Sequence, residues 1–111
     1  MNLKEAIKEA LEHNDEESFL MIYAQRIKGQ WMPSSRAVLV ALPNTCDFEP
    51  PTPDGMEYFL ESFVAQEVLE FKDEFAGDPA FDQIVNLIIN YAEYDCYPDP
   101  EEGWDFKVYN R

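Results

Sequence analysis

Leu3, Ala6, Ile7, Ala10 and Leu11 recur at the three- and four-residue spacing that gives a helix one buried stripe. Asn2 stands three residues before Glu5, where each side chain can bond the other's backbone N–H at a helix start. The pattern predicts a first helix over residues 3–13. After a polar break at 14–17, the continuous apolar run Ser18–Tyr23 suits a buried strand or a short helix, and a strand is the expectation. Gly29, Pro33 and the Ser34–Ser35 pair mark a turn. Ala37–Leu42 then reads as a central strand closed by Pro43.

Pro43, Pro50, Pro51 and Pro53 crowd the stretch up to Gly55, and each restricts itself and its predecessor to extended geometry. This is a semi-rigid loop. Residues 56–61 could form an edge strand or a first helical turn. Val64, Val68, Phe71 and Phe75 form the stripe of a second helix that runs until Gly77. Asp78–Pro79 reads as the cap and first turn of a third helix, whose buried face is Phe81, Ile84, Val85, Ile88, Tyr91 and Ala92. Beyond Tyr94, Pro98, Pro100 and Gly103 argue against a helix, while Trp104, Phe106, Val108 and Tyr109 read as a last strand. Helices and strands do not alternate regularly, so the expected fold is α+β. It is a single compact domain with about three helices on a small, mainly antiparallel sheet.

Composition narrows the function classes. The 111 residues carry 23 acidic and 8 basic side chains, a formal charge of −15, which repels phosphates and anionic head groups. Binding to nucleic acid or to a membrane surface is not expected. No apolar run reaches the roughly 20 residues of a spanning helix, and the amino-terminal stretch lacks a signal-peptide core. Cys46 and Cys96 form no CxxC and pair with no histidine at ligand spacing, so a cytoplasmic location with both thiols reduced is expected.

The charge is also unevenly placed. Residues 1–42 are nearly balanced, whereas residues 43–106 hold 17 acids against the single base Lys72. Acids and aromatics interleave most densely in Asp95, Tyr97, Asp99, Glu101, Glu102, Trp104 and Asp105. Carboxylates accept hydrogen bonds from Arg and Lys, and aromatics anchor interface centres, so these residues form the candidate partner-binding edge for a basic protein. Tyr97 and Trp104 have an alternative role in locking the terminal segment onto the core. The loop bearing Asp47, Glu49 and Asp54 is the second acidic candidate.

No enzyme is expected, and no cofactor. The Pro-broken spacing of the carboxylates does not supply the alternate ligands, sixth-place glycine and closing glutamate of a calcium loop, so no metal site is assigned. His13 reads as a helix-end cap that pairs with Glu9. Acidic neighbours oppose the thiolate form at Cys46 and Cys96, which removes the candidate nucleophiles.

The runs AVLVALPNTCDF (37–48), GMEYFLESFVAQEVLEF (55–71) and INYAEYDCYPDP (89–100) resemble small acidic bacterial immunity proteins of contact-dependent growth inhibition and other polymorphic toxin systems. The resemblance lies in size, acidity and texture. It implies a cytoplasmic inhibitor that binds a cognate toxin domain, often a basic nuclease, and blocks its active site. A nucleic-acid mimic acting on a regulatory protein and an acidic housekeeping adaptor are the other classes compatible with the residues.

Overall fold

The computed structural model describes residues 1–47 and 49–106. Helix α1 spans Leu3–Glu12 and opens with the expected capping box: Asn2 Oδ1 accepts from Glu5 N and Glu5 Oε1 accepts from Asn2 N, both at 2.8 Å. Two more amino-terminal N–H groups, which no helix can satisfy internally, donate outside it, Leu3 to Ser35 O and Lys4 to Pro33 O. The turn before the second strand therefore caps the first helix. Strands β1 (Ser18–Ala24), β2 (Ala37–Pro43) and β3 (Glu57–Glu61) follow, then helix α2 (Ser62–Glu70), a 3₁₀ turn at Phe71–Glu74, helix α3 (Phe81–Tyr94) and a 3₁₀ segment at Pro100–Asp105.

The sheet is antiparallel with strand order β2-β1-β3. Expected at the centre, β2 lies at an edge, and β1 is central. The apolar run of β2 reports apolar side chains on both faces of the strand, not hydrogen-bonded neighbours on both sides. Paired residues share a face, so the register Ile22↔Leu39 and Ala24↔Ala37 defines the side that meets the helices. These residues join Leu3, Ile7, Phe59, Val68, Val85 and Ile88 in one core. Met21↔Val40 and Tyr23↔Val38 lie on the opposite side. A register shift between Ile22 and Tyr23 pairs Tyr23 with Tyr58, on that same outer side, and leaves Phe59 free to enter the core, where its ring meets Trp31 edge-on at 5.0 Å.

Three other expectations are corrected. The second helix ends at Glu70 rather than near Gly77, tightening into the 3₁₀ turn so that Phe71 and Phe75 meet edge to face at 5.7 Å. The third helix starts after Ala80, not at Asp78–Pro79, and Gln83 Oε1 reaches back to accept the Ala80 N–H at 2.8 Å. At the carboxy end, the expected strand over Trp104 and Phe106 is a 3₁₀ segment instead. Prolines rule out a long α-helix there but suit a short turn opening at Pro100, and Gly103 (φ 74°, ψ −165°) takes a backbone shape open only to glycine. Val108 and Tyr109 lie outside the described residues.

Candidate protein-binding surface

The acidic carboxy-terminal segment is fixed at both ends. Asp95 terminates α3 in the left-handed region (φ 54°), donating its N–H to Tyr91 O, and Asn90 Nδ2 donates to Cys96 O at 3.2 Å as the chain reverses. Tyr97 then stacks on Phe71, with ring centroids 3.9 Å apart and planes at 17°, and lies 5.2 Å from Tyr91. Trp104 stacks on Phe75 at 4.2 Å and 23°. The two rings therefore belong to the packing between the terminal segment and the 3₁₀ turn. Trp104 is half-buried with its indole N–H enclosed and unbonded among the described residues, so it is a core residue rather than a free anchor. Tyr97 locks the segment in the same way yet keeps 38% of its surface exposed.

Between these pins the carboxylates of Asp95, Asp99, Glu101 and Glu102 are exposed, and Asp105 closes the 3₁₀ segment. Asp99 also has a structural duty, since its Oδ1 accepts the Glu101 N–H at 2.9 Å and caps that segment. Ring stacking brings in acids that sequence distance had concealed. Glu67 and Glu70 on α2 face Tyr97 closely enough that, after burial and Tyr91, their charge helps raise the tyrosine hydroxyl above its ordinary value. Asp73 and Glu74 on the 3₁₀ turn are exposed as well. Phe71 and Phe75, four residues apart, were legible as an aromatic stripe, but nothing in the sequence identified what that stripe receives.

Few cations oppose these acids. Lys4 pairs with Asp82 at 2.5 Å, Lys8 with Glu12 at 3.7 Å and Lys72 with Asp73 at 3.2 Å. Arg26 is the main internal counter-charge. Its guanidinium reaches Glu57 at 2.9 Å and Glu93 at 2.6 Å while lying 3.8 Å over the Trp31 ring. Among the described residues, Glu67, Glu70, Glu74, Asp95, Asp99, Glu101 and Glu102 form no ion pair.

A second concavity lies on the outer side of the sheet. A strap of residues 49–52 passes over β1 and β3, enclosing about 200 Å³ between Met21, Tyr23, Tyr58 and Glu61 on one side and Glu49, Pro50 and Thr52 on the other. Tyr58 donates a short hydrogen bond to Glu61, and Tyr23 donates to the Met21 sulfur at 2.9 Å. Burial raises both hydroxyls above the ordinary tyrosine value, with the Glu61 carboxylate adding to the rise at Tyr58 and the Glu49 and Glu61 charges adding at Tyr23.

A polar knot elsewhere brings together Ser62, Asp15 and His13. The Ser62 hydroxyl donates to Asp15 Oδ1 at 2.7 Å and accepts the Leu20 N–H at 2.9 Å, and Ser62 is fully buried. It is already committed at both ends and joins three elements. The expected pairing of His13 with Glu9 gives way to contacts with Ser18 O at 3.0 Å and Asp15 at 3.7 Å, because the chain turns back at Asn14 toward β1. Cys46 is a half-buried thiol and Cys96 an exposed one. Among the described residues no three His, Cys, Asp or Glu side chains converge as a metal site, and no helix is long and apolar enough to cross a membrane. Comparison with protein-family models, curated proteins and solved structures found no match.

Proposed function

We propose that this chain is a non-catalytic binding protein that neutralises a basic cytoplasmic toxin, a nuclease domain being the favoured target, by covering its active site or substrate-binding surface. The supporting observation is the exposed, unpaired carboxylate face around Tyr97, held in place by ring stacking and two prolines. Such a face needs little ordering on binding and presents the charge that a phosphate-binding cleft attracts. Asp95, Glu101 and Glu102 would stand where substrate phosphates stand, and Tyr97 would supply apolar contact at the centre.

The test pairs the chain with a candidate toxin domain encoded immediately upstream of its gene, measuring toxin activity together with association and dissociation rates. The double reversal Glu101→Lys/Glu102→Lys should slow association about tenfold or more at low salt while circular dichroism stays unchanged. Tyr97→Ala should mainly speed dissociation, by a loss of about 2 kcal/mol. Reversed charges that leave the association rate unchanged would remove this face from the interface, and an uninhibited toxin would remove the reading itself.

A further inference from the structure

We propose that the groove between the strap and the outer face of β1 and β3 is a recognition pocket for an arginine side chain of a basic polypeptide. The inference shares with the function above only the positive charge of the ligand, since none of the groove's lining residues belongs to the acidic segment around Tyr97. Its floor carries two tyrosyl rings and a thioether, Tyr23, Tyr58 and Met21, and its lining includes two carboxylates, Glu49 and Glu61, and no basic side chain. A cation entering it would meet aromatic side chains and negative charge together. The Tyr58 hydroxyl fixes one oxygen of Glu61, which orients the carboxylate and leaves its other oxygen for a ligand. Among the described residues Glu49 has no ion pair. Pro50, beside Pro51, stiffens the strap and reduces the ordering cost of closing on a guest.

The chain already contains the arrangement that the groove lacks only a guest to complete. Arg26 lies over the Trp31 ring and bonds carboxylates from two elements, Glu57 and Glu93. In the groove aromatic side chains and two carboxylates are again present, without the guanidinium. A planar, forked cation matches such a site better than an ammonium, because it stacks and bonds a carboxylate at the same time. The charges of Glu49 and Glu61 already act on Tyr23, so the anionic field extends to the groove floor.

The experiment titrates the full-length, isotope-labelled protein with a short peptide carrying one arginine, and with its lysine and citrulline counterparts, following backbone amide shifts. Arginine peptide should move the resonances of Tyr23, Tyr58 and Glu61, with citrulline binding about tenfold or more weakly and lysine intermediate. Tyr58→Ala, at a position 46% exposed, and Glu61→Gln should each weaken arginine binding about fivefold to tenfold. Glu101→Lys/Glu102→Lys should leave it within about twofold at fixed salt, which separates this site from the one around Tyr97. Equal binding of arginine and citrulline peptides overturns the proposal. So do shifts confined to residues 95–102, no shifts at millimolar peptide, or unchanged affinity in Glu61→Gln. The Gln variant decides the matter should Tyr58→Ala fail to fold.

Discussion

Ser62 sits at the β3–α2 junction, where its hydroxyl ties the Leu20 N–H of β1 to the carboxylate of Asp15. Ser62→Ala would leave the half-buried Leu20 N–H and Asp15 carboxylate without that partner, so it should lower stability by about 1–3 kcal/mol in a urea titration. Exposed Ser34→Ala should change it by less than about 0.5 kcal/mol. The tyrosines make a second prediction. Tyr23, Tyr58 and Tyr97 all hold their protons more tightly folded than the ordinary value of 10.0. Below that value the shift leaves stability intact. Above it the unfolded chain loses tyrosine protons that the folded chain keeps, so stability falls as pH rises. Alkaline melts should therefore show a steep decline beyond about pH 10, and Tyr58→Phe should make it shallower. An equally steep decline in that variant would mean the hydroxyl is no better held in the folded chain than in the unfolded one.

At the scale of elements, α1 was fully legible, because Asn2, Glu5 and the apolar stripe are local signals and the capping box forms as they require. The sheet was legible as strands but not as an order, since apolarity reports on the faces of a strand and says nothing about which edge is paired. The acids of the carboxy-terminal segment could be read directly. The direction of its rings could not, because stacking on Phe71 and Phe75 is a contact between distant stretches of chain. For the same reason Glu67 and Glu70 escaped notice, as did the groove, whose walls come from three separate stretches. This packing gives a stability prediction. Trp104→Ala should destabilise the fold by about 2–4 kcal/mol, because it removes the ring covering Phe75. A denaturation midpoint unchanged from the parent would show that the terminal segment does not clamp the 3₁₀ turn.

On the scale of the whole molecule, the charge of −15 and the few internal ion pairs make two separable electrostatic terms. Exposed carboxylates around Tyr97 repel one another through solvent, and salt screens that repulsion over about 10 Å at 0.1 M. Stability should therefore rise between low and moderate salt, a gain on the order of 1 kcal/mol corresponding to about 4 °C in Tm for a domain of this size. Arg26 belongs to the other term. Its side chain is 28% exposed and that of Glu93 only 14%, and the cation is packed on Trp31, so salt weakens that contact much less. Arg26→Ala should cost about 2 kcal/mol or more at low salt, because it strips the counter-charge from Glu93 and Glu57 and uncovers an aromatic ring. Added salt should recover little of that loss, since what the variant lacks is a fixed partner in a sheltered place. The two thermal series should then run roughly parallel, both rising with salt and offset from each other. Curves that converge by moderate salt would mean that Arg26 acts only as diffuse positive charge. The clamp it forms between β3 and α3 would then contribute nothing specific.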